Sequence, residues 1–288
     1  MNPTGTISIN GKNAMHANSW NEVNSKMAQD IAPLILGQDA TRFADALELS
    51  KKGKANNPKR IDAANEAYMQ LVCPILWKIT QSNDPRFWNE VAKLEPEHYA
   101  MIIGAADNPT KWCLKVELIK QLFPKVKHKG TTYLGPRDYF RGMAFGEYIS
   151  AQQRYSAWLK NRTKANLAKF FGILYRPERT DVHKESEQYY EDPRETYIPT
   201  KSDRYAARFS SYTESIMLVA VLYWQGCHSK LRTDYVHVFK GTSSKNSDPG
   251  EVVVSLAKSP GKDDVNQILH APVHNIMRKL NKDAKQHK

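Results

Sequence analysis

The chain has 288 residues, 41% of them hydrophobic and 25% charged, and a formal net charge of +12. Such a length suggests about two domains and a core that needs no disulfide or metal to fold. The composition excludes collagenous, disulfide-rich and wholly disordered chains.

Residues 1–21 are rich in Asn, Ser, Thr and Gly and are expected to form a flexible arm, or a small hairpin turning at Asn10-Gly11. An N-terminal helical region is expected over 22–124. It contains a polar loop at Lys51–Pro58, a helix over Ile61–Thr80 disturbed at Pro74, and a helix started by Asp84-Pro85. Glu95-Pro96 should begin a segment running to about Ala106, and Lys111–Phe123 reads as a short amphipathic helix ended by Pro124. The basic, breaker-rich stretch Lys125–Asp138 reads as the boundary before a C-terminal helical domain, 125–288.

In that second half Met143–Lys160 has helical spacing, and Thr163 caps a helix that Arg176-Pro177 ends. A long Tyr-rich loop spans Glu178–Pro199, and a strong helix runs from Ser202 to a stop at Gly226. Gly241–Gly250 reads as a polar loop, Val252–Val254 as a strand or buried turn, and Asp264 opens a last helix. The expected fold is mainly α, a multi-helix, bundle-like protein with long loops and at most a minor β element.

No GxxxxGK, GxGxxG, GxSxG or HExxH pattern occurs. Cys73, Cys113 and Cys227 are few, odd in number and far apart, as in a reducing compartment. The start of the chain has no basic-then-apolar leader, and the longest apolar run, Ile216–Trp224, is too short to span a membrane. His270 and His274 have i, i+4 spacing, but Pro272 lies between them and no third ligand is near, so packing is the better reading. Cys227-His228 reads as packing too. The acidic group Glu185, Glu187, Glu191, Asp192 and Glu195 is interspersed with Lys184 and Arg194 and reads as a solvated loop. No catalytic, cofactor-binding or metal-binding residue is expected.

Charge is the stronger signal. Residues 121–180 carry twelve cations against three acids. Lys125, Lys127, Lys129, Arg137 and Arg141, interleaved with aromatic residues, are candidate phosphate contacts for a nucleic acid. The same charge would also serve to solvate helix faces or to meet an acidic protein.

Leu134-Gly-Pro-Arg-Asp138 is followed by Met143-Ala-Phe-Gly-Glu-Tyr-Ile149, Leu174-Tyr-Arg-Pro177, Ala220–Cys227 and Pro272-Val-His274. In this order the pieces resemble proteins encoded among the tail genes of Bacteroidetes bacteriophages and prophages, over roughly residues 134–281. The resemblance implies a non-enzymatic role in virion morphogenesis, foremost a tail-assembly factor or chaperone for tape-measure-like or tube-like proteins. It implies residence in the host cytoplasm during assembly, or in the virion. Gly135, Pro136, Phe145, Gly146, Glu147, Tyr175, Arg176 and Pro177 are the motif residues and candidate partner contacts. Alternatives are a structural connector, tail-completion or ring subunit, which includes homo-oligomers, and a basic nucleic-acid-binding phage protein.

Overall fold

The computed structural model describes residues 5–36, 73–95, 98, 111–180, 192–198, 201–239 and 265–286. It is mainly helical, with two three-stranded antiparallel sheets among these residues. The chain divides into two compact units, Met1–Val116 and Glu117–Lys288.

In the first unit, β1 (Gly5–Ile9) and β2 (Lys12–His16) form a hairpin, and β3 (Thr80–Gln81) extends it from β2. The two-residue turn at Asn10 and Gly11 has φ of 48° and 71°, a conformation that Asn and Gly tolerate and that matches the twist of paired strands. Alternation turns Ile7, Ile9 and Ala14 onto a core with Leu76, Phe87 and Val91. That burial corrects the expected flexible arm, since the hairpin carries half of a core.

Helix α1 (Ser25–Leu36) buries Met27, Ile31 and Leu36 on one face. Residues 73–79 are helical and include Pro74. Asp84 caps α2 (Pro85–Val91), its carboxylate accepting the Arg86 N–H at 2.9 Å with proline at the first helical position. The expected elements at Lys51–Pro58, at 61–72 and over most of 95–106 lie outside the described residues.

The expected helix over Lys111–Phe123 is only a 3-10 turn at Lys111–Leu114. Its polar groups are spent on tertiary bonds instead. The Lys115 carbonyl accepts the Trp20 indole N–H at 2.9 Å, and the Gln121 N–H donates to Asp138 at 2.7 Å. Leu118 and Gln121 pack within the second unit, so that unit begins at 117 rather than 125.

The supposed boundary stretch is a second hairpin. Strands β4 (Lys125–His128) and β5 (Thr131–Leu134) turn at Lys129 and Gly130, with φ of 47° and 79°, and β6 (Arg176–Pro177) pairs with β5. Helices α3 (Phe145–Lys160) and α4 (Lys164–Leu174) follow; Thr163 caps the latter through the Asn166 N–H at 3.3 Å.

The expected single helix from Ser202 is two, α5 (Ser202–Phe209) and α6 (Glu214–Asp234). Gly226 is not a stop. It lies inside α6 where the helix presses on the Leu118 backbone, with no room for a Cβ. Helix α6 is buried on nearly every side from Met217 to Trp224, as expected of the central helix of a unit. Helix α7 (Val236–Phe239) follows. The last helix is also divided at Pro272, into α8 (Val265–His270) and α9 (Val273–Gln286). Residues 181–191 of the Tyr-rich loop, and the polar loop and apolar triplet at 241–254, lie outside the described residues.

Gly226→Ala is expected to destabilise the second unit by about 2–3 kcal/mol through overpacking against Leu118. Chemical denaturation followed by far-ultraviolet circular dichroism checks this.

Candidate functional site

Glu147 lies in the first turn of α3 and is fully buried. A carboxylate there is favoured by the positive end of the helix, but this one meets two guanidiniums as well. Arg194 binds it through two N–H donors at 2.7 and 3.1 Å, and Arg176 approaches it at 3.0 and 3.1 Å. Asp192 completes the cluster, receiving Arg194 N–H donors at 2.8 Å on each carboxylate oxygen. Two cations and two anions thus share one buried site.

The fold assembles this cluster from distant residues. Arg176 sits in β6, immediately after α4, and strand pairing of Leu134 with Arg176 fixes its backbone. A single bridge, Glu178 with Arg194, brings the segment 192–198 alongside. Arg176 also donates to the Ile173 carbonyl and Arg194 to the Leu174 carbonyl, both at 2.8 Å. These are carbonyls at the C-terminal end of α4, which lack helical partners and carry partial negative charge. The Arg176 guanidinium further donates to the Glu195 carbonyl at 2.7 Å and lies 5.6 Å from the Tyr197 ring centre.

Burial opposes charge on Arg194, but Asp192 and Glu147 outweigh it and raise its pKa. Burial likewise pushes the Asp192 carboxyl up, and Arg194 and then Arg176 more than reverse the effect. Its folded pKa is therefore lowered. The stability it contributes is present above its unfolded value near ~4 and is lost as pH falls below that.

Above the cluster is a cavity of about 680 Å³, lined by Arg176, Asp192 and Arg194 and walled by residues of the 176–197 region, α8 and α9. Its size is that of small-ligand sites. Arg176 and Arg194 are spent on the partners named above. Arg179, half-buried, donates to the Thr196 hydroxyl at 3.0 Å, and both line the cavity with exposed His270.

The motif residues converge. Gly135 lies against the Tyr175 ring, where an added Cβ would meet it at 2.9 Å, and Gly146 lies against Leu269 of α8. Tyr175 donates to the Phe123 carbonyl at 2.9 Å. Pro136 and Phe145 are buried, and Pro177 pairs with Tyr133. These positions build the core and are poorly placed to touch a partner directly; Glu147 and Arg176 are wholly inside. The basic candidates lie on the surface. Lys125, Lys127 and Lys129 are exposed on the β4–β5 hairpin, and Arg137 and Arg141 are exposed on either side of the Asp138–Phe140 turn.

Arg194 and Asp192 escaped the sequence reading, which took them for part of a solvated loop; Glu195 instead accepts the Tyr205 hydroxyl. Glu185, Glu187 and Glu191 lie outside the described residues. His274 is held by the Tyr235 hydroxyl at 3.0 Å and the Tyr139 carbonyl at 2.7 Å, so both its ring nitrogens are engaged. Burial pushes the Cys227 thiol up, as for a packed cysteine. Burial, and secondarily Arg232, push neighbouring His228 down to about 4. Among the described residues no group of three or more His, Cys, Asp or Glu is arranged to hold a metal ion, and no helix is long and apolar enough to cross a membrane.

No protein-family model, curated protein or solved structure matches this chain.

Arg194→Gln is expected to cost about 3–5 kcal/mol, because it leaves buried carboxylates short of a cation. Asp203→Asn should cost less than about 1 kcal/mol, since it breaks only the exposed pair with Arg154; urea titration compares the two. The His228 shift has its own consequence. Between about pH 6.5 and 4 the unfolded imidazole takes a proton that the folded one refuses, so stability falls as pH drops through that window. Denaturation across pH should show a slope worth at most about 3 kcal/mol that His228→Gln reduces.

Proposed function

We propose that the protein is a non-enzymatic bacteriophage virion-morphogenesis factor that acts in tail assembly by binding tail components and holding them until they polymerise. One observation carries the reading. The pieces whose order resembles tail-gene-cluster proteins come together in a single unit and act there as turns, close approaches and helix junctions. The Ala144 and Pro272 segments bridge, with Phe145 N–H donating to the Ala271 carbonyl and Val273 N–H to the Met143 carbonyl, both at 2.8 Å. Glu147 binds Arg176, and Gly135 seats Tyr175. A motif made of such joints specifies a scaffold that presents a surface, and the resemblance of these sequence pieces to proteins of tail gene clusters extends the reading to tail assembly by analogy. The partner is a tape-measure-like or tube-like protein, met in the host cytoplasm.

A second reading, nucleic-acid binding, is favoured by the exposed Lys125, Lys127 and Lys129 of the β4–β5 hairpin, which line up on and beyond an edge strand. Affinity for DNA or RNA falling steeply with salt, and abolished by charge reversal at these three lysines, would establish that reading in place of the first.

Quantitative mass spectrometry of purified phage particles beside the infected-cell lysate tests the assembly role. Abundance in the lysate with absence from particles is the expected result. A fixed copy number in particles would instead make the protein a structural subunit such as a connector or ring component.

A further inference from the structure

The β4–β5 hairpin leaves one side of its sheet unpaired. The strand order is β4-β5-β6, so β4 is an edge. Which backbone groups it presents follows from the ladder. The two-residue turn at Lys129 and Gly130 closes on His128 and Thr131 as a hydrogen-bonded pair. Bonded pairs recur at every second residue, which puts the next at Val126 with Tyr133 and another at Pro124 with Gly135. The Gly135 N–H does donate to the Pro124 carbonyl, at 3.0 Å, and this fixes the phase. Lys125 and Lys127 fall between the bonded pairs, so their N–H and C=O groups point outward. Among the described residues neither bonds another element.

The side chains along this edge are cationic. Lys125, Lys127 and Lys129 are exposed, while Val126 is buried on the other face. No acid occurs between Glu117 and Asp138. Lysines on a short edge strand ordinarily guard it, since a strand that pairs there must tolerate their charge. The guard is selective: it repels a basic strand and admits an acidic one, whose carboxylates meet the lysines across the pairing. A nucleic acid suits the edge less well. Lys125 and Lys127 each present a carbonyl beside an N–H, and a phosphate that accepts from one must face the other. The aromatic residues interleaved with these cations are also withdrawn, because Tyr133 and Phe140 are buried and offer bases no face to stack on.

We infer that the open edge of β4 takes an extended acidic peptide segment, bonded through its backbone to Lys125 and Lys127 and through its carboxylates to the lysine side chains. This is strand addition, in which main-chain bonds give affinity and alternate side chains give specificity. The inference rests on the assembly reading only for the origin of the strand, an acidic segment of a tail component. Peptide binding and the census of phage particles can each fail without the other.

The test is fluorescence anisotropy of the full chain with labelled peptides in which Val alternates with Glu, Gln or Lys, all at one salt concentration. Saturable binding of the Glu peptide, tighter than about 1 mM, is expected, with the Gln peptide weaker by about tenfold and the Lys peptide weaker still. In the complex, amide exchange followed by NMR should slow at Lys125 and Lys127 and stay unchanged at Val126 and His128, which the hairpin already bonds. The double variant Lys125→Glu, Lys127→Glu should lose about tenfold for the Glu peptide and gain affinity for the Lys peptide. Both side chains are exposed, and the thermal midpoint of the variant reports that the chain still folds. The inference is overturned if the Glu peptide does not saturate, if the Gln peptide binds as tightly, or if the double variant keeps the wild-type affinity. It is overturned equally if the Lys125 and Lys127 amides exchange as fast in the complex as in the free chain. An oligothymidylate that binds more tightly than the Glu peptide at the same salt would also overturn it, and would assign these lysines to nucleic acid.

Discussion

The second unit depends on a carboxylate that has no access to water. Glu147 is buried within the unit, and its charge is tolerable because three N–H donors from Arg176 and Arg194, with a second Arg176 nitrogen at 3.0 Å, replace its hydration. The arginines in turn need Asp192 and the terminal carbonyls of α4. Through this one cluster the start of α3, the end of α4, β6 and the segment 192–198 acquire fixed relative positions. An apolar cluster of equal volume would stabilise the unit as well or better. What it would lack is directionality, since guanidinium and carboxylate groups bond only in certain orientations.

A second constraint acts at Tyr139 and Phe140, consecutive non-glycine residues with φ of 52° and 58°. Such backbone costs about 1–3 kcal/mol per residue and persists only where the surroundings impose it. Here the Tyr223 hydroxyl of α6 accepts the Phe140 N–H at 3.2 Å and donates to the Arg137 carbonyl at 2.6 Å. Tyr139 donates to Asp234 at 2.6 Å, while the Phe140 ring packs among Tyr148, Tyr223 and Trp224. The strained turn is thus pinned to the central helix from both ends. It leads the chain from the hairpin into α3 and delivers Glu147 to its partners, so strain and ion cluster serve one architecture.

Local signals were legible wherever a short-range interaction decides the structure. Asp84-Pro85 and Thr163 read as helix starts because their side chains bond backbone two or three residues on, and Asn10-Gly11 reads as a turn because few residues accept its φ. Helical periodicity gave the mainly α class. What escaped was set at long range. Gly226 looks like a stop, but the Leu118 backbone, over a hundred residues earlier, demands its missing side chain. The β4–β5 hairpin was hidden because four-residue strands carry too little alternation to stand out from a basic loop. At the site, Glu147 and Arg176 were singled out as motif residues, yet nothing local joins them to Arg194. In sequence Arg194 is one charge in a polar, Pro-containing run, and only the folding of β6 beside 192–198 gives it a buried carboxylate 47 residues away.

The central claim is that Glu147 and Arg194 are energetically coupled rather than merely adjacent. A double-mutant cycle of Glu147→Gln and Arg194→Gln, read by urea denaturation, measures this coupling directly. The account expects the double variant to be more stable than the summed single losses imply, by about 2 kcal/mol or more, because each single change strands the charge that its partner neutralised. Losses that add to within about 0.5 kcal/mol would contradict it, and would make the cluster a bystander in a unit held together by apolar packing alone.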